Sequence, residues 1–247
     1  SKKFLILALL ALLMPFAAGA KEIGPSVSVY RDQDLKWEDG AFGYHVMFKS
    51  LLENKVQDAK SENPQGDTCK ASSTYTLDMT HIPADAIIED AYLIWTAAQP
   101  IAQLNSTTDN EVSLSFTSSD GTISHSDTIK GKKAYKLTDG GSVSFEFDAF
   151  KNVDEEGNTR GWYTYRVKVL DFFKAIQEKG RASAVEGSSF YDGYSLLGNY
   201  TLSGLECTED ALYQKSTELV ADWSIVLIYS SIEISPKKIY IYDGFSS

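Results

Sequence analysis

Three histidines, two cysteines and two acidic runs are the residues of this 247-residue chain whose types and spacing could carry chemistry. His45, His81 and His125 have no Cys or His partner at metal-ligand spacing, so a zinc site is not expected and structural roles are. Asp32-Gln33-Asp34 with Glu38-Asp39, and Asp154-Glu155-Glu156-Gly157-Asn158, supply oxygen ligands of the kind calcium takes. Asp32, Asp34, Asp154 and Glu156 are therefore weak calcium candidates. Neither run fits the Asp-x-Asx-x-Asx-Gly loop, because Lys36 occupies the third ligand position in the first and the second lacks alternation. Solvated loops and no obligatory cofactor are the expectation. Nucleophile and phosphate motifs are absent: there is no Gly-x-Ser-x-Gly, Walker A or Gly-x-Gly-x-x-Gly, and Ser235-Pro236-Lys237-Lys238 meets Ser-x-x-Lys only by chance. No enzyme is expected. Trp37 and Trp162 are the aromatics available to stack on a ligand, with core packing as their other reading.

The N-terminus carries an address. Lys2-Lys3, an apolar run from Phe4 to Phe16 and Ala18-Gly19-Ala20 follow the basic, hydrophobic and A-x-A pattern of a secretory signal peptide over residues 1–20. The other reading is a retained hydrophobic helix, since residues 4–20 reach the lower limit of a bilayer span. Losing Lys2 and Lys3 would take the formal charge from −11 to −13, and the longest basic clusters elsewhere are the pairs Lys132-Lys133 and Lys237-Lys238. Nucleic acid is excluded as a partner on that balance, and no membrane association is expected after cleavage. Export also makes a disulfide between Cys69 and Cys207 the natural state of the two thiols.

Period-two alternation positions these residues on strands. Val112, Leu114 and Phe116 oppose Ser113 and Ser115; Val143, Phe145 and Phe147 oppose Ser144, Glu146 and Asp148; Tyr163, Tyr165, Val167 and Val169 oppose Thr164, Arg166 and Lys168. Tyr75–Met79 and Tyr200–Leu202 repeat the pattern more weakly. Ala91–Trp95 and Trp223–Tyr229 are apolar almost throughout, as central strands covered on both faces are. Asp120-Gly121 and Asp139-Gly140-Gly141 mark hairpin turns. One helix is expected at Asp171–Lys179, capped by Asp171 and stopped by Gly180, while Phe42–Leu52 fits a second helix or a strand. The fold class is all-β: an antiparallel β-sandwich or jelly roll with one or two short helices, preceded by an N-terminal hydrophobic segment. Residues 21–40 read as an N-terminal arm and 41–247 as one β-sandwich domain.

The central segments, in order, have a further likeness. Ile82-Pro-Ala-Asp-Ala-Ile-Ile-Glu-Asp-Ala-Tyr-Leu-Ile-Trp95, Tyr163 to Gly180, Ala221-Asp-Trp-Ser-Ile-Val-Leu-Ile-Tyr229 and Ile239-Tyr-Ile-Tyr-Asp-Gly-Phe245 resemble a β-sandwich module of bacterial exported, adhesin-like surface proteins. Asp222 stands where that family usually has Gly, and Leu170-Asp171 only approximates its Asp-Val-Thr piece. The resemblance implies a non-catalytic module on the outer cell surface or outside a bacterium, and brings no site residues with it. The expected function is a structural or adhesive subunit that self-associates into a filament or coat, or joins other surface proteins. Its assembly arm would be Val27, Val29 and Tyr30, added as a strand to a neighbour's sheet edge. The alternative is a secreted lectin-like module that stacks Trp37 and Trp162 on sugars.

Overall fold

The computed structural model describes residues 36–53, 68–100, 109–131, 142–143, 147–153, 159–184, 192–208 and 219–240. In chain order the strands are β1 (Lys36–Gly40), β2 (Phe42–Ser50), β3 (Leu52–Glu53), β4 (Thr68–Cys69), β5 (Ser72–Leu77), β6 (Ile87–Ala98), β7 (Glu111–Ser118), β8 (Ser124–Lys130), β9 (Ser142–Val143), β10 (Phe147–Val153) and β11 (Thr159–Lys168). Helix α1 (Leu170–Ser183) and a 3-10 turn (Asp192–Leu196) follow, then β12 (Gly198–Ser203), β13 (Ala221–Ser230) and β14 (Lys237–Tyr240). The fold is an all-β antiparallel sandwich, with one α-helix among the described residues. A six-stranded sheet runs β2-β13-β6-β11-β10-β9, a four-stranded sheet runs β5-β12-β7-β8, and β1-β14 and β3-β4 form two short ribbons.

Alternation sets which face of each sheet is buried. In the larger sheet the inward positions include Met47, Leu93, Trp95, Tyr163, Tyr165, Trp223, Ile225 and Leu227; Leu77, Val112, Leu114, Phe116, Tyr200 and Leu202 come from the smaller, and all join one core. Each such side chain contributes about 1.5–3 kcal/mol when fully buried. The register stacks Trp95 opposite both Tyr165 and Trp223, so the widest rings occupy one level of the core. The Trp223 indole N–H donates to Ser73 Oγ at 2.7 Å and thereby crosses from one sheet to the other. β6 and β13, apolar on both faces, are interior strands of the larger sheet, as their composition predicts.

The Asp120-Gly121 turn closes the β7-β8 hairpin, with Gly121 at φ +74°. Asp120 accepts from Ser118 Oγ (2.6 Å), the Thr122 N–H (3.0 Å) and Thr122 Oγ1 (2.8 Å), and the Ser118 bond first among these holds its carboxyl down to about 2. Phe42–Ser50 is a strand and not a helix. The expected helix is longer than its signals at both ends: Val169 occupies the N-cap without a side-chain bond, and Gly180 lies buried inside α1 instead of ending it. Packing overrides the local signals here. Phe172, Phe173 and Ile176 bury against the core, Phe173 stacks on Tyr200, and Gln177 Nε2 donates to Ala86 O at 3.2 Å. The helix contacts β6 and β8, one strand from each sheet.

Candidate functional site

The edge strand β2 is where the described surface departs most from a polar sandwich exterior. β2 ends the larger sheet, pairing with β13 on one side and with no described strand on the other. Its inward residues Gly43, His45 and Met47 alternate with outward Tyr44, Val46 and Phe48, which are 60%, 45% and 57% exposed. Across the β13 ladder Tyr44 faces the fully buried Ile228, Val46 the half-buried Val226 and Phe48 the polar Ser224, so the exposed apolar stripe belongs to β2 itself. Beyond it Asp90, opposite Ile228 on β6, is buried, where it accepts from the Tyr92 hydroxyl at 2.8 Å and pairs with Lys168 at 3.0 Å. Gly43 keeps β2 close to the core: a Cβ there would stand 2.5 Å from the Tyr229 ring. An exposed edge of this kind presents unpaired backbone groups and apolar side chains together, the two things strand addition uses.

Cys69 and Cys207 form the expected disulfide, with their Cα atoms 6.2 Å apart. Beside it is a buried carboxyl that the sequence gives no reason to single out. Asp109 Oδ2 accepts the Tyr163 hydroxyl and the Glu206 N–H (3.0 Å), and the Trp95 indole N–H donates to Asp109 O at 3.1 Å. Burial raises the Asp109 carboxyl to about 7, overriding both hydrogen bonds to it. The Tyr163 hydroxyl is pushed well above its ordinary value, by its own burial first and the neighbouring Asp109 second. This knot holds the segment around Glu206 against β6 and β11.

The remaining sequence candidates are dispersed. Val27, Val29, Tyr30, Asp32 and Asp34 lie outside the described residues, as do Asp154 and Glu156. Trp37 is in β1, its backbone opposite Ile239 of β14. Trp162 is half-buried and packs with Ala98 and Leu219 beside Cys207. Among the described residues no three His, Cys, Asp or Glu side chains converge as a metal group, and no helix is long and apolar enough to cross a membrane. The histidines do not all stand apart, however: the His45 and His81 rings are 4.7 Å apart, a contact that their separation in sequence hides.

Compared with known proteins, the chain matches no family model and no curated sequence.

Proposed function

We propose that this chain is a non-catalytic, exported subunit of a bacterial surface assembly, which self-associates through the β2 edge of its larger sheet. The observation that carries the reading is the exposed stripe of Tyr44, Val46 and Phe48 on an edge strand that pairs with β13 and with no other described strand. The occupant is a second copy of the chain. Val27-Ser28-Val29-Tyr30 has the alternation of a strand and is the segment we assign to pair with a neighbour's β2. The leader-like residues 1–20 and the resemblance to exported surface modules support the location, and the disulfide agrees with it.

The test is electron microscopy with light scattering on the protein comprising residues 21–247, beside a Tyr44→Lys/Phe48→Lys double variant and a deletion of residues 21–34. Lysine on a sheet edge blocks strand pairing, and both positions are exposed, so the double variant keeps its fold. Filaments or large oligomers are expected from the parent protein, and folded monomers from both altered forms. A monomeric parent, or assembly that survives both changes, overturns the reading.

A further inference from the structure

At the same side of the sandwich, where β2 of the larger sheet comes near β5 of the smaller, three polar side chains converge that the sequence places far apart. His45 enters from the inward face of β2, Tyr75 from β5 and His81 from the turn that follows β5. The Tyr75 hydroxyl lies 2.9 Å from His45 Nε2 and 3.4 Å from His81 Nε2. The three rings face one another, with centroids 4.7 Å apart for His45 and His81, 5.9 Å for His45 and Tyr75, and 5.8 Å for Tyr75 and His81.

We infer that His45 Nε2, His81 Nε2 and Tyr75 Oη form a site for one divalent late transition-metal ion, copper(II) more tightly than zinc(II). Two imidazole nitrogens and a phenol oxygen are a donor set these ions accept, and the order of affinity is that of the Irving–Williams series. The spacing fits as well. Cis ligands of a square-planar copper(II) site with bonds of about 2.0 Å stand roughly 2.8 Å apart, and those of a tetrahedral zinc site roughly 3.3–3.4 Å. The two separations given by the structure, 2.9 and 3.4 Å, lie close enough to those edges for side-chain rotation to close them.

The surroundings prepare each ligand. His81 Nδ1 accepts the Asp78 backbone N–H at 3.1 Å, with Asp78 Oδ1 beside it at 3.2 Å. Metal binding through Nε2 moves the His81 proton to Nδ1, where Asp78 Oδ1 at 3.2 Å would accept it, the arrangement in which a carboxylate orients a metal-bound histidine. Asp78 Oδ1 is itself held in place by the Thr80 hydroxyl at 2.6 Å and the Thr80 N–H at 2.8 Å. His45 is half-buried on the inward face of β2, its Nε2 already turned to the Tyr75 hydroxyl. Tyr75 binds as phenolate: the metal–oxygen bond forms as the O–H bond breaks, and the proton passes to solvent. A bound ion would join β2 to β5 and clip the two sheets together at the edge that carries the apolar stripe.

The experiment titrates copper(II), and separately zinc(II), into untagged, EDTA-treated protein comprising residues 21–247, followed by calorimetry, visible absorption and melting. One equivalent of copper is expected, with a phenolate-to-copper charge-transfer band in the visible and a higher melting temperature. Tyr75→Phe loses the band while keeping weaker binding, and His45→Gln/His81→Gln loses affinity by at least roughly 100-fold, since two of three protein ligands are gone. His125→Gln, outside the cluster, binds as the parent does. Carbethoxylation of His45 and His81, read by mass spectrometry and slowed by copper in the parent, gives the same answer without a variant. Binding unaltered in the double variant, a band that survives Tyr75→Phe, or no protection of His45 and His81 overturns the site.

Discussion

Burial drives the Asp109 carboxyl up to about 7 although two donors pull it the other way, and this has a definite consequence for stability. A carboxyl whose folded-state value is raised favours the fold while it is protonated in both states, at pH below its ordinary 3.8. As pH rises from there through 7, the unfolded chain gains by ionising and the folded one does not, so stability falls across that window. The loss is of the order of a few kcal/mol at 1.36 kcal/mol per pH unit. Asp109→Asn removes the titration and keeps an oxygen for Tyr163 and Glu206, and Asn tolerates the left-handed φ of +44° found there. Melting temperatures from pH 4 to pH 8 should therefore fall more steeply for the parent than for the variant, and the variant should be the more stable at pH 8. Parallel curves would show that Asp109 does not titrate in this window. A second residue acts through space alone. A Cβ on Gly131 would stand 2.3 Å from Tyr165 Cδ1, and Tyr165 is fully buried and stacked on Trp95 at 5.0 Å, so the ring has nowhere to go. Gly131→Ala should cost about 1–3 kcal/mol in urea unfolding as an overpacked core does, and an unchanged midpoint would refute the clash.

Strands with a polar face were readable from alternation, and strands buried on both faces from continuous apolar runs, because each pattern follows from what covers the strand. β7, β6 and β13 lie where those patterns put them, with ends extended by the ladder; β11 starts earlier and stops at Lys168, leaving Val169 as the N-cap of α1, and the run Val143–Asp148 is divided between β9 and β10, where Asp148 pairs back with Val143. β2 resisted the same reading for a physical reason. Its outward positions are Tyr44, Val46 and Phe48, so apolar side chains stand on both faces and neither period dominates. The feature that obscured the strand is the one that makes it the candidate interaction edge. Helix α1 exceeded its local signals because burial of Phe172, Phe173 and Ile176 stabilises it more than a cap does, and it runs past Gly180 in the process. Sites assembled from separate strands were not legible at all. His45, Tyr75 and His81 meet only because β2 and β5 lie at the same side of two stacked sheets, and Asp109 meets Tyr163 and Glu206 only once β11 and the segment after β12 are in place. No spacing in the sequence encodes either meeting.

At the scale of the molecule, the Cys69–Cys207 bond decides how these pieces are held. It joins β4, which follows β2 through the β3-β4 ribbon, to the segment that leaves β12, and so closes a loop over a sequence separation of 138. The same segment is fastened by the Glu206 N–H to Asp109 and by the Thr208 N–H to Ala98 O at 3.2 Å. Cross-link and buried carboxyl therefore share one anchor. In the chain-entropy account a loop of this length contributes about 5 kcal/mol, acting on the unfolded chain. A Cys69→Ser/Cys207→Ser variant should keep the far-ultraviolet spectrum of the sandwich, unfold at lower urea, and show a larger dependence on urea because its unfolded chain exposes more surface. Loosening of the Glu206 segment should also let water reach Asp109, bring its carboxyl down toward the ordinary range and flatten the fall in stability between pH 4 and pH 7. The two readouts separate the contributions. A lower urea midpoint with an undiminished pH dependence would mean that the disulfide constrains only the unfolded chain and that the Asp109 knot stands without it. Equal midpoints for variant and parent would mean that the bond adds nothing to a sandwich already closed by its core.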